Sequence, residues 1–489
     1  MMVTNNQNPL VRLLRVCSLA MVVLVSHAAS EQDQVDAAGE CCAALKAIGF
    51  ASNLPVVIIE SISGTTIEYK VDQEVKLCTC SPPGSNITDY KGYAEAAGRG
   101  NSSKDFVKTQ YKLELHDSNG EDVDFELLGF PEEEDFIAYG PELDRTLMKN
   151  YLAYNIGRGA DTYASRTQFV EIFSIEDGSE LSMDDYRGLF LMVEKQKRDK
   201  NRIDIEKMDD ENPSGGYILT YDNDNYDWDE VVIGPFTQFG MDHPFVVKEP
   251  KELTDTQRDY LNKYLNDFMQ SLTTDVTSGD YTSYIDMDSF INYLLAVEVT
   301  KNPDGYRGST YLHKDRDGPL KMGPMWDYNE AFGMCCGYPI DGWQREGESM
   351  AGVAGGTAIS PNGFRFLICE DAERCQADPT DGVSFWYRTM WKDPVFRNAT
   401  SARWKELREG AWSDENIEDL VASARDQLDQ GAVQRNYDTY ADVLLEGVSV
   451  DGETFWKDET AKLEKWLMER LSWLDEALQT PRVSYAPTP

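Results

Sequence analysis

The spacing of apolar residues changes period once along this chain of 489 residues, and that change limits the fold more than any other feature. Before about residue 200 the apolar runs are short and strand-like. "LPVVIIES" (54–61) is β-branched and predicts a buried strand, "SISGTTIEY" predicts a return strand, and "QYKLELHD" (110–117) alternates with the period of a half-buried strand. "RTQFVEIFSI" (166–175) and "YRGLFLMVEKQ" (186–196) predict two more strands. One helix is predicted over 140–160, with Asp144 as its cap. From 252 onward helical spacing dominates, in "TDTQRDYLNKYLNDFMQSL", "MDSFINYLLAVEVT", "NIEDLVASARDQLDQ" and "ETAKLEKWLMERLSWLDEAL". The expectation is an α+β chain of two lobes, strand-rich over about 51–200 and helix-rich over about 201–480.

The ends read differently. Arg12 and Arg15 precede the apolar run "VCSLAMVVLV", and small residues follow at 26–30, which is the pattern of a secretory signal peptide over 1–30. Residues 31–50 form a short Cys-containing leader, and 481–489 a flexible tail. No later stretch approaches the roughly 18 consecutive apolar residues of a membrane span. The expected setting is secreted, extracellular or cell-surface.

Composition narrows the partners. The formal charge is −40, spread along the chain, so phosphate backbones are repelled and nucleic acid is not an expected partner. Eight cysteines follow the signal segment: Cys41, Cys42, Cys78, Cys80, Cys335, Cys336, Cys369 and Cys375. An even number in a secreted chain favours disulfides over zinc, since no histidine lies near them; the pairing is open. Sequons at Asn86, Asn101 and Asn398 suit the same compartment.

The chemistry is expected within "KNPDGYRGSTYLHKDRDGPLKMGPMWDYNEAFG" (301–333). Asp304 lies in a turn after an apolar helix. Two short strands follow, and then Asp327 stands between Trp326 and Tyr328. A loop, a hairpin and a second loop bring two carboxylates to one mouth. One can take a proton from an attacking hydroxyl while the other holds a divalent cation on phosphate oxygens. Asp222, Asp224, Asp227 and Asp229 lack the spacing of a calcium-binding helix–loop–helix and read as a solvated loop beside the site. His116, His243 and His313 stand apart and form no triad.

In order along the chain, "GRGNSSKDFVKTQYKLEL", "GPELDRTLMKNYLAY", "YRGLFLMVEKQKRDKNRIDI", "NPDGYRGSTYLHKD", "GPMWDYNEAFG" and "EKWLMERLSWLD" make the sequence resemble the CotH kinase family, secreted or spore-coat proteins with an atypical protein-kinase-like fold. The resemblance implies ATP with Mg²⁺ or Mn²⁺ as cofactors and a secreted or cell-surface protein, phosphorylated on Ser or Thr, as substrate. It implies Asp304 as the proton acceptor and Asp327 as the metal aspartate, with Lys108 as the basic group near the phosphates. Arg99, Asn101, Asn150, Glu194 and Lys195 are further nucleotide-site candidates, and Ser309 and Asn329 candidate second-metal ligands. Two positions depart from the pattern. Ser309 stands where an ordinary kinase has the Asn that follows the catalytic Asp by five residues, and Asn329 stands where many relatives have a second Asp. These departures support an alternative, a weakly active or inactive CotH-like adhesin or scaffold.

Overall fold

The computed structural model describes residues 39–100, 102–209, 211–222, 230–333, 360–367, 382–428, 431–445 and 448–482. The signal peptide, most of the leader, Asn101, Asp224, Asp227, Asp229, Cys335, Cys336, Cys369, Cys375 and the tail beyond 482 lie outside the described residues. The rest is a mixed α+β chain, strand-rich early and helix-rich late. It divides into two compact units, one of residues up to 99 with 111–136 and 170–188, the other of 100–110, 137–169 and 189 onward.

Seven strands close into a barrel in the order β1-β2-β3-β4-β5-β7-β6. They are β1 (Val56–Ser61), β2 (Gln73–Cys80), β3 (Lys91–Arg99), β4 (Gln110–His116), β5 (Asp135–Tyr139), β6 (Thr167–Ile175) and β7 (Tyr186–Glu194). The unit boundaries fall within β4 to β7. In the first unit β1 pairs antiparallel with β2, Val56 opposite Cys80, and parallel with β6, Val56 opposite Glu171. Val56, Ile58, Phe173, Ile175 and Tyr186 pack with Phe50 in one apolar cluster. The return strand is "QEVKLCTC" and not "SISGTTIEY": the latter is a turn in which Ser61, Ser63 and Thr65 hydroxyls bond one another. β3, "KGYAEAAGR", carries little strand signal because most of its residues are small, but they fit a closely packed barrel wall.

A helix over 39–47, α1, is fastened to β2 by disulfides Cys41–Cys78 and Cys42–Cys80. Residues 78 and 80 point to one face of the strand, so neighbouring cysteines of a helix reach both. Disulfides rather than zinc are therefore what these four cysteines form.

The second unit holds a five-stranded sheet in the order β12-β11-β8-β10-β9. Its strands are β8 (Tyr217–Tyr221), β9 (Val232–Ile233), β10 (Phe245–Glu249), β11 (Thr310–Lys314) and β12 (Leu320–Met322). The unit also holds helices α2 (Lys149–Gly159), α3 (Asp255–Asp275), α4 (Met287–Thr300), α5 (Ser384–Met390), α6 (Pro394–Arg408), α7 (Asp414–Leu428), α8 (Ala432–Thr439), α9 (Ala441–Leu444) and α10 (Gly452–Gln479), of which α4 packs on β12 and α3 on β9. α4 is apolar all round and buried from Phe290 to Thr300, which makes it the centre of this unit. Asp286 caps it by accepting from the Ser289 N–H at 2.9 Å. α2 starts four residues later than Asp144 as a cap suggests. Leu147 takes φ +62°, and Asp144 instead accepts from Thr146 N at 2.9 Å and Lys149 N at 2.8 Å.

The two disulfides close loops of almost the same length, 37 and 38 residues. Once one is made, the other removes little further chain entropy. Thermal unfolding should therefore show a small loss for Cys42→Ser/Cys80→Ser, below about 1 kcal/mol, and a loss of about 4 kcal/mol when all four cysteines are replaced.

Candidate functional site

α4 ends at Thr300 with Lys301 in the left-handed region, φ +47°. The chain turns there into the loop that carries Asp304. Buried tyrosines fix this loop from the helix side. Tyr293 Oη donates to the Gly305 carbonyl at 2.7 Å, and Tyr306 Oη donates to Glu298 Oε1 at 2.9 Å. The Asp304 carboxylate is partly exposed and meets Arg307 Nε at 3.2 Å. Gly308 lies beside it: a Cβ there would stand 3.4 Å from Asp304 Cγ and 3.5 Å from Asp222 Oδ1. Two carboxylates thus flank one glycine, and Asp222 belongs to this mouth.

Asp327 follows β12 on a second loop. Trp326 and Tyr328 do not bury it. Tyr328 faces the core at 1% exposure while Asp327 is exposed, at φ +61°. Its backbone is held from α2, where its N–H donates to Tyr154 Oη at 3.2 Å and the next N–H, of Tyr328, donates to Asn150 Oδ1 at 2.7 Å. Tyr154 also stacks on Trp326 with centroids 6.4 Å apart. Phe332, at the end of the loop, donates its N–H to the Thr300 carbonyl at 2.8 Å.

One side chain spans both loops. Asn302 is 1% exposed. Its Oδ1 accepts from Asp304 N at 3.3 Å, and its Nδ2 donates to the Asp327 carbonyl at 3.2 Å. The two acid-bearing loops are therefore neighbours, tied by a buried amide. Five non-glycine residues of 301–333, Lys301, Ser309, Asp317, Asp327 and Phe332, hold positive φ. Each such residue costs on the order of 1 kcal/mol, and this cost concentrates at working sites.

A family profile described as "CotH kinase protein" matches residues 97–474. The chain belongs to the CotH kinase family. No curated protein matches it. Membership implies a kinase-like protein that uses ATP.

The remaining CotH candidates are distributed as follows. Lys108 precedes β4 and is fully buried. Its amine donates to the Leu189 carbonyl and to Asn436 Oδ1, both at 2.5 Å, between the rings of Phe190 and Tyr440. Its N–H bonds Glu142 Oε2 at 2.7 Å. Lys112, the other basic residue near that strand, is partly exposed and pairs with Asp72 and Glu114. Glu194 is 1% exposed at its side chain and pairs with Arg166 at 2.6 Å, and the Lys195 carbonyl accepts from Arg202 at 3.0 Å. Arg99 closes β3 in the first unit. Ser309 and Asn329 are both partly exposed on the two acid loops.

Asn302, Tyr154 and Lys149 carry roles that the motif reading does not assign. Asn302 carries a faint signal, since Asn-Pro-Asp-Gly is a turn whose Asn can bond its own backbone; its second bond depends on a loop 25 residues away. Lys149 is buried, and burial pulls its amine down to about 8 while Asp144, Glu330 and Glu459 hold it up.

Two outcomes follow for this site. Asn302→Ala should cost about 2 kcal/mol in denaturant unfolding, about 1 for each hydrogen bond lost. Asn302→Asp keeps the acceptor for Asp304 N but cannot donate to Asp327, so its loss should be no smaller. For Lys149, the folded value lies below the unfolded one. Its destabilising cost is fully present below pH 8, and stability should rise from there towards 10.5 by up to about 1.4 kcal/mol per pH unit. Unfolding at pH 7, 8 and 9.5 should show that rise in the wild type and a smaller one in Lys149→Met, where Lys314, also pulled down to about 8 by burial, still contributes.

Proposed function

We propose that the protein is a secreted protein kinase that transfers the γ-phosphate of ATP to Ser or Thr of extracellular or secretory-pathway proteins with Mg²⁺ or Mn²⁺. The observation that carries this reading is the Asn302 amide, which holds the Asp304 and Asp327 loops side by side. Asp304, Asp222, Asp327 and Asn329 offer oxygen donors alone, the set that suits a hard divalent cation. The metal–ATP complex would supply the electrophilic phosphorus and neutralise charge on its oxygens.

The chain's own residues do the rest. Asp304 accepts the proton of the substrate hydroxyl. Arg307, partly exposed, pairs with that carboxylate at 3.2 Å and would release it as substrate enters. Asp327, exposed and fixed through its backbone by Tyr154 and Asn302, would hold the cation, with Asn329 on the same loop. Holding both acid-bearing loops in place before substrate arrives lowers the reorganisation that the reaction would otherwise require. The disulfides of the first unit and the exposed sequons Asn86 and Asn398 support an oxidising, secretory setting.

A second reading, a CotH-like adhesin or scaffold without turnover, draws on one observation: Arg307 already occupies the Asp304 carboxylate at 3.2 Å. Incubation of the full chain with labelled ATP, Mn²⁺ or Mg²⁺ and secreted proteins separates the two. Transfer should fall by at least about 100-fold in Asp304→Ala and in Asp327→Ala, and nucleotide-dependent thermal stabilisation should be lost in Asp327→Ala alone. Equal transfer by Asp327→Ala would remove the metal role. Absence of divalent-dependent nucleotide binding in the wild type would leave the scaffold reading.

A further inference from the structure

A set of buried charges lies behind the Asp304 loop. Glu298, near the end of α4, has a side chain 1% exposed and accepts four hydrogen bonds. They come from Tyr306 Oη at 2.9 Å, Phe366 N at 3.0 Å, Arg365 N at 2.6 Å and Arg470 Nη2 at 2.9 Å. Arg470, on α10, is the cation that answers the Glu298 charge, and its Nε also bonds the Glu298 carbonyl at 2.7 Å. Arg365 contributes only its backbone N–H to Glu298. Its guanidinium turns to the Pro303 carbonyl instead, with Nε at 3.0 Å and Nη2 bonded to the same oxygen.

Pro303 directly precedes Asp304, so this fork grips the peptide group from which Asp304 extends. We infer that Arg365 is a positioning residue for Asp304: it fixes the Pro303–Asp304 peptide, and Glu298 fixes the segment that carries Arg365. This rests on the reading of Asp304 as the proton acceptor. The guanidinium also lies within the field of the site. Burial pulls Arg365 down to about 10, Arg307 pushes it the same way and Asp304 opposes, so it stays charged at neutral pH. A residue present only to fill space would not need a charge. Arg365 is 6% exposed, and a methionine of similar length would fill the volume without gripping the carbonyl.

The test uses the full chain with Arg365→Met and Arg365→Lys, read by amide hydrogen exchange and by steady-state phosphotransfer. Arg365→Met should raise exchange at 303–309 by about tenfold while β8 and α3 stay within about twofold of wild type. It should lower kcat by about 100-fold, the effect of displacing a reacting group by an ångström, with KM for ATP little changed. Arg365→Lys keeps one donor for the Pro303 carbonyl and should fall between the two on both readouts, and it carries the comparison if Arg365→Met does not fold. An equal rise in exchange across β8 and α3, or unchanged kcat beside raised exchange at 303–309, would overturn the assignment and leave Arg365 as ordinary core. If the wild type transfers no phosphate, the kinase reading fails separately. The exchange pattern alone then decides whether Arg365 holds this loop.

Discussion

A carboxylate taken out of water must be met at every lone pair, and Glu298 is met at four. The donors come from the Asp304 loop, the segment around 365 and α10, so one side chain gathers three stretches of the second unit around the end of α4. Removing one partner of a buried pair of this kind costs about 3–5 kcal/mol, a large share of the 5–15 kcal/mol that holds a typical domain together. The geometry behind Asp304 is therefore coupled to the stability of the unit. The loop cannot drift far without exposing or orphaning a charge.

The parts of the fold that could be read in the sequence are those whose signal is local. "MDSFINYLLAVEVT" is α4 as observed, and "RTQFVEIFSI" and "YRGLFLMVEKQ" mark β6 and β7 to within two residues. The adjacent cysteines and the Cys-Thr-Cys strand announced disulfides, although only the helix and strand periods show which pairs meet. What was missed depends on tertiary placement. β3 is built of alanine and glycine, which read as loop until neighbours enclose them. α2 begins late because Asp144 serves the turn before it as well as the first helical N–H.

The site divides in the same way. Asp304 stands out as a turn acid directly after an apolar helix, and Asp327 as an acid between two aromatics. Asn302, which ties them, does not: its side chain looks like an ordinary turn residue until a distant loop arrives to accept its second bond. Glu298 did carry a legible signal, as a lone acid in "LLAVEVT", where only a buried cation makes it tolerable. Arg470, 172 residues on, is that cation, and no local pattern connects the two.

The strained backbone then acquires a reason. A left-handed lysine ends α4 at 301, and left-handed non-glycine residues recur at 309, 317, 327 and 332, at turns of the chain. A glycine would satisfy these turns at less cost, but it could present neither a side-chain oxygen at 309 and 327 nor an apolar anchor at 332. The Lys301 side chain bears on the first of them. Buried below the loop, it donates to the carbonyls of Ser360 and Asn362, the segment that carries Arg365. Backbone strain at the helix end, a buried lysine, the 360–367 segment and the Arg365 fork thus form one continuous support that ends on the peptide bearing Asp304. A loop with no demanding geometry to keep would have little use for so many buried charges on a single face.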